Sequence, residues 1–312
     1  KAYQYVKFEA VDLAKPTIKI KNSYAFIDLS NTQLNWEITM NGVVINSGIV
    51  STEGITAGNS KEIAIPWKSP APKPGKIYHL NVYLKTTDDL SLLGKYHVLA
   101  SEQFELACSS ARQQILPSQT ASLSASETEN DITVNGKDFA VIFSKESGII
   151  TSFTFRGVEL LSRGPKPNFR RAPTDNDVGN KMFVKCKPWY DASENQKLKS
   201  IVLNVVGARV SIIATFLLPD ASSEIKTTYI ITGKGDVLVT NELVVSPGQP
   251  WIPRLGMNMQ INSSMNNVEW FGRGPFENYL DRKSAAFVGI YSSTTDEMYT
   301  NYVRPQENGY RT

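Results

Sequence analysis

The sequence predicts an all-β protein: an immunoglobulin-like β-sandwich followed by a larger two-sheet β-structure. Three observations carry this reading. Apolar residues recur with period two, at Leu34, Trp36, Ile38 and Met40 in "LNWEITM" and at Tyr78, Leu80, Val82 and Leu84 in "YHLNVYLK". Such alternation marks strands with one buried face. Turn dipeptides punctuate the runs, and no stretch holds helical spacing with caps over three turns.

Taken in order, "KAYQYVKFEAVDL" opens the chain as strand. Asn41-Gly42 follows "LNWEITM" and predicts a type I′ hairpin, whose two central residues need positive φ. Pro66, Pro70, Pro72 and Pro74 in "PWKSPAPKPG" make a stiff crossing between strands, because each fixes its own φ. Residues 1–108 then hold about seven short strands, the number expected of an immunoglobulin-like sandwich. Residues 109–123, rich in Ser, Thr and Gln with Pro117 inside, have linker composition. Residues 124–312 carry too many strands for one small sandwich. Asn135-Gly136 predicts a second type I′ hairpin, and "TGKGDV" at 232–237 another turn. "FRRAPTDNDVGN" and "CKPWYDASENQK" lack alternation and read as loops.

Bulk properties narrow the classes. A chain of 312 residues suggests two domains and buries enough surface to need no disulfides. It is 41% hydrophobic and 20% charged, with a net charge of +3, which gives no reason to expect nucleic acid or an anionic membrane as partner. Cys108 and Cys186 read as free, partly buried thiols, and no C-x-x-C exists to hold zinc. No apolar run approaches the ~20 residues that span a bilayer. No signal peptide is visible. Lys1 at the start and "RPQENGYRT" at the end read as cuts from something longer.

Three polar clusters are candidates for chemistry. In "FRRAPTDNDVGN" (169–180), Asp175, Asn176 and Asp177 could hold a cation, clamp sugar hydroxyls, contact another domain or simply shape a loop. The remaining spacing and closing Glu of a calcium loop are missing. In "VEWFGRGPFENYLDRK" (268–283), Gly272 and Gly274 are not a phosphate cradle, since the third Gly and the following helix are absent. Glu277 and Asp281 could work as acid and base. Arg273, Arg282 and Lys283 beside them favour a rigid corner of Arg–carboxylate bonds, capped by Trp270, Phe271, Phe276 and Tyr279. In "YVRPQENGYR" (302–311), Glu307 and Asn308 precede a turn at Gly309, flanked by Arg304 and Arg311. Both histidines, His79 and His97, fall in the first domain, and His79 reads as a surface or rim residue. The second region has none, which removes Ser–His, Cys–His and His–metal schemes there. Each of the five Trp is a core residue by default. Trp189, in a polar stretch, is the best candidate for an exposed sugar platform.

At "RRAPTDNDVG" and "WFGRGPFENYLDRK", joined by "MYTNYVRPQENGYR", the chain resembles the C-terminal half of the large bacterial β-galactosidases of glycoside hydrolase family 2. "KAYQYVKFEA" and "LNWEITMNGVVINSG" also look like that family's sandwich domain behind the catalytic barrel. The resemblance covers essentially the whole chain. It implies an immunoglobulin-like sandwich followed by the start of a galactose-mutarotase-like β-supersandwich. The family retains anomeric configuration, using two barrel Glu about 5 Å apart. With no β/α alternation here, neither catalytic Glu is expected in this chain. The family's magnesium and sodium ligands also lie outside the matched region, and an aromatic bordering the galactose site would follow Thr312.

The resemblance implies a non-catalytic portion of a β-galactosidase, supporting the barrel and bordering its active-site mouth. Arg171, Asp175, Asn176 and Asp177 would lie on the face near the barrel, and a loop near Trp189–Gln196 would border the mouth. Trp270, Gly272, Gly274, Glu277, Asn278, Asp281, Arg282, Glu307 and Asn308 would be structural. Implied partners are the family's N-terminal domains, a β-galactoside through the parent and further copies of the full chain. Location in a bacterium stays open between cytoplasm and periplasm. Two other readings are a free-standing carbohydrate-binding module and an oligomerisation or scaffold segment. An aldose-epimerase-like enzyme is disfavoured because its acid–base His would be missing.

Overall fold

The computed structural model describes residues 3–88, 93–110, 123–206 and 209–311. The chain groups into two compact units that cross its linear order. One unit comprises Lys1–Gln114, Asn267–Thr300 and Asn308–Thr312, and the other Ile115–Asn266 and Asn301–Glu307. Residues 111–122, most of the expected linker, lie outside the described residues.

The first unit starts with seven strands: β1 (Val6–Asp12), β2 (Thr17–Asn22), β3 (Thr32–Met40), β4 (Val43–Ser51), β5 (Ser60–Ala64), β6 (Tyr78–Thr86) and β7 (Val98–Glu105). They form a three-stranded sheet, β1-β2-β5, and a four-stranded sheet, β4-β3-β6-β7, all antiparallel. The alternating residues Leu34, Trp36, Ile38, Leu80, Val82 and Leu84 face the core together with Ile18 and Ile20. Met40 pairs with Val43 across Asn41 and Gly42, at φ 48° and 82°, as a type I′ turn requires. Gly48 lies opposite Trp36, and a Cβ there would stand 2.6 Å from the indole.

The second unit begins with β8 (Ser124–Glu127), β9 (Asp131–Asn135), β10 (Phe139–Ser144), β11 (Ile150–Phe155) and β12 (Val158–Glu159), a five-stranded sheet in the order β12-β11-β10-β9-β8. β13 (Leu161–Asn168) leads into three short helices, α1 (Asp175–Gly179), α2 (Met182–Lys185) and α3 (Lys187–Asn195). β14 (Lys197–Val206), β15 (Arg209–Leu218), β16 (Ser223–Ile231) and β17 (Val237–Val244) form a four-stranded meander, and β18 (Gly256–Ile261) returns to pair with β13. Val141 and Phe143 meet Ile212 and Tyr229 in one core, with the Phe143 and Tyr229 rings edge to face at 5.0 Å. Phe169, Met182, Cys186, Trp189, Phe216 and Leu218 form another. Cys186 and Cys108 are both buried and free.

The β9–β10 hairpin exists, but its turn is not type I′ at Asn135-Gly136. Asn135 pairs with Ala140, and the Gly136 amide donates to Phe139 O at 2.9 Å. Neither Asn135 nor Gly136 has positive φ. Glycine is needed at 136 for space: a Cβ would lie 2.1 Å from the Phe139 ring. The "TGKGDV" turn is present, with Gly235 at φ 90° and Thr232 Oγ1 bonded to Asp236 at 2.9 Å.

β19 (Asn267–Gly274) and β20 (Phe287–Thr294) form a hairpin that belongs to the first unit. It covers the outer face of β6 and β7. Gln103 on β7 bonds the backbone of Val288, and the Tyr83 and Phe287 rings lie 6.0 Å apart. This cover corrects the surface reading of His79. The imidazole is only 5% exposed, because β6 is buried on both faces at this point.

Candidate functional site

The motif residues resolve into two clusters, one in each unit. In the second unit, "PTDND" is not a loop but the start of α1. Thr174 is its N-cap: Thr174 Oγ1 accepts from the Asp177 amide at 3.4 Å, and the Asp177 carboxylate accepts from the Thr174 amide at 2.8 Å. This reciprocal pair satisfies two otherwise orphaned amides. The T-x-x-D spacing was the signal for it in the sequence.

Arg171 grips the same carboxylate. Its Nη1 and Nη2 donate to the two Asp177 oxygens at 2.5 and 2.8 Å, a bidentate fork. Nη1 also donates to Glu307 Oε2 at 3.2 Å. The Glu307 amide donates to Pro173 O at 2.9 Å, and the Asp175 amide to Gln306 Oε1 at 3.1 Å. Tyr190 Oη bonds Arg171 O at 2.9 Å. Burial alone would raise the Asp177 pKa, but the Arg171 fork and the Thr174 donors outweigh it and hold the group below the usual carboxylate range. Glu307 goes the other way: burial raises it, Arg171 and the charge of Arg254 only partly offset that, and the Asp177 charge adds to it. Both Asp177 oxygens thus accept structural bonds, Oδ2 from Arg171 and Thr174 and Oδ1 from Arg171. Asp175 and Asn176 are exposed on α1.

Trp189 is no sugar platform. "KPWYDASEN" is helix α3, opened by Pro188 in its first turn, where a missing amide costs nothing. The indole is 0% exposed, its Nε1 donates to Pro250 O at 2.8 Å, and its ring lies 5.5 Å from Phe169. Met182, Cys186, Trp189 and Ser193 recur at helical spacing and are all buried, a stripe that could have predicted these helices.

The second cluster is the corner after β19. Glu277 is buried and takes Arg282 Nη2 on Oε1 at 3.1 Å and the Gly309 amide on Oε2 at 2.9 Å. Asn278 is fully buried, with its amide on Tyr310 O at 2.9 Å. Tyr279 stacks on Tyr310 at 5.1 Å, and Arg282 lies over the Tyr279 ring. Trp270 Nε1 bonds Arg273 O at 3.0 Å, and Arg311 covers its ring at 5.3 Å. Gly272 pairs with Gly289, and Gly274 keeps β19 thin, since a Cβ there would stand 2.6 Å from the Tyr291 ring. The Gly274-Pro275 bond is cis. Asn308 Nδ2 bonds Thr300 O at 3.2 Å.

Three details depart from the expected corner. Arg273 donates to Lys283 O and Ala286 O, capping a turn rather than meeting a carboxylate. Asp281 is exposed and forms no ion pair among the described residues, whereas Glu277 holds Arg282. Phe271 and Phe276 are about half exposed, unlike a closed cap. Each Glu277 oxygen accepts a structural bond, one from a side chain and one from the backbone.

Fold and clusters together define an all-β class: packed antiparallel sheets whose motif carboxylates are engaged in holding backbone. Comparison with known proteins narrows this. The family model for the beta galactosidase small chain matches residues 135–312, and the chain belongs to that family. The model for beta-galactosidase, domain 4, matches residues 18–107. A beta-galactosidase of Priestia megaterium is 31% identical over 313 residues, covering 100% of this chain and 30% of its own length. One from Psychromonas ingrahamii is 30% identical, covering 100% and 32%. One from Clostridium acetobutylicum is 29% identical, covering 94% and 32%. The chain thus spans about a third of the length of these curated relatives.

Proposed function

We propose that this chain is the non-catalytic C-terminal portion of a retaining β-galactosidase of glycoside hydrolase family 2, whose parent hydrolyses terminal β-D-galactosides. Its role is structural: it supports the catalytic barrel and borders the active-site mouth. The observation that carries this reading is the match of the whole chain to about a third of each relative. The engagement of Asp177 and Glu277 in structural bonds supports it, since each carboxylate joins an Arg side chain to a backbone amide. Magnesium and sodium, where the parent needs them, would be held by the rest of that protein. The full parent would assemble as a homo-oligomer.

The test is a chromogenic β-galactoside assay on the purified 312-residue chain beside its parent. The chain alone is expected to show no turnover, while the parent loses activity when this segment is deleted. Turnover that co-purifies with the chain overturns the proposal.

A further inference from the structure

In the second unit the β13–β18 ribbon is bulged. Arg163 pairs with Gln260 and Lys166 with Asn258, so three steps on β13 match two on β18. Residues three apart in a regular strand point to opposite faces. One extra residue reverses the phase, so that Arg163 and Lys166 line the same cleft. Gly164 occupies the bulge because a Cβ there would lie 1.8 Å from Ile150 O. The cleft has a volume of about 250 Å³, and Asn168, Arg170, Ser193, Glu194 and Asn258 complete its polar lining.

The charges do not balance. Three cations face one carboxylate. Arg170 Nη1 holds Glu194 Oε1 at 3.0 Å, and Lys166 Nζ reaches only the Glu194 backbone oxygen at 3.2 Å. Arg163 has no ion pair among the described residues, and Asn258 is exposed with a free side-chain amide among them. Burial lowers the Lys166 pKa, Glu194 partly restores it, and the charge of Arg163 lowers it again. Two positive charges are therefore left over, one a planar fork and one a compact ammonium.

We propose that this cleft binds a small dianionic oxyanion, the chemistry of inorganic phosphate or of a phosphate monoester. A guanidinium fork and a lysine on one side of a bulge match the oxygens of such a group. Asn258 adds an amide donor, and the cleft leaves room for an organic body attached to the phosphate. The proposal is independent of the glycosidase reading, because it concerns only residues of this ribbon and of α3.

The test is a titration of the ¹⁵N-labelled chain with inorganic phosphate at constant ionic strength, followed by amide and Arg Nε shifts. Parallel arms use a sugar phosphate and the same sugar without phosphate. Saturable shifts are expected at Gly164, Asn258 and the Arg163 side chain, with Kd about 1 mM or tighter. Arg163→Ala and Lys166→Met should each weaken binding by about 10-fold or more, the range for a hydrogen bond to a charged group. Lys226→Ala, on a surface pair of the four-stranded meander, should change nothing. Tighter binding of the sugar phosphate than of phosphate assigns the site to a phosphorylated metabolite, and equal binding assigns it to free phosphate. Absence of saturation, or equal weakening by Lys226→Ala, overturns the proposal. Thermal melts of the variants confirm that they remain folded.

Discussion

Gln103 and Val288, 185 residues apart, form a two-way amide pair. The Gln103 side chain donates to Val288 O at 2.9 Å and accepts from the Val288 amide at 2.7 Å. It thereby offers β20 the donor and acceptor that a neighbouring strand would offer. Its Nε2 also donates to Asn81 Oδ1 at 2.8 Å, so one side chain ties β6, β7 and β20 together. The Asn41-Gly42 turn meets β20 as well: a Cβ on Gly42 would lie 2.8 Å from the Ile290 amide.

Gln103→Leu should therefore loosen this hairpin from its sandwich. Leaving the Val288 amide and carbonyl half-buried and unpaired costs about 1–3 kcal/mol. Urea unfolding should show the loss, and hydrogen exchange at Val288 should accelerate. Gln103→Glu keeps the acceptor and loses the donor, so it should fall between. Equal stability of all three proteins would show that the pair contributes nothing.

The strands were legible because burial on one face writes itself as period two. Leu34 to Met40 and Tyr78 to Leu84 sit in the register their alternation implies. Alternation was silent about the other face: His79 and Tyr83 are polar in pattern yet covered by a hairpin that begins at Asn267. The helices were missed for a different reason. Each is four to nine residues long, too short for a three-turn window, although the Thr174–Asp177 box and the Met182–Ser193 stripe marked them. In the candidate clusters the right residue types were visible, but their partners were not. Nothing local links Arg171 to Glu307, or Glu277 to Gly309.

Trp189 tests the burial argument. Trp189→Ala removes a large ring from a closed core and should destabilise the second unit by about 3–5 kcal/mol. Trp189→Phe keeps most of the packing and strands Pro250 O, so a smaller loss of about 1–2 kcal/mol is expected. Chemical denaturation measures both. Galactose should leave the Trp189 fluorescence unchanged, since the indole has no exposed face.

Arg171→Met should uncouple the two carboxylates it holds. The Asp177 pKa is depressed in the folded state, so its contribution is present above the ordinary carboxylate value and is lost as pH falls through the folded one. Glu307 has a raised pKa and acts oppositely: it costs stability when ionised and relieves that cost as pH falls through its folded value. Carbon-detected titration should therefore find Glu307 protonating before Asp177. In Arg171→Met the Asp177 value should rise, and unfolding by acid should begin at higher pH. Arg171→Lys should rescue little, because an ammonium cannot reproduce the bidentate fork.

His79 sets a second, milder acid limit on the first unit. Burial lowers its pKa below 6.5, Glu105 opposes that shift and Arg273 reinforces it. Glu102 and Lys283 line the same cleft, and the imidazole Nδ1 has no hydrogen-bond partner among the described residues. The folded state thus prefers the neutral ring, while the unfolded chain takes up a proton near the ordinary value. Stability is full above about pH 7 and falls as pH drops through the unfolded value toward the lower folded one. His79→Asn cannot titrate, so its unfolding free energy should stay flat across that window while the parent sequence declines. Nuclear magnetic resonance of the imidazole should report a folded pKa below that of a denatured control. A pKa at or above the control would remove this acid limit, and with it the claim that burial by the β19–β20 hairpin controls this ring.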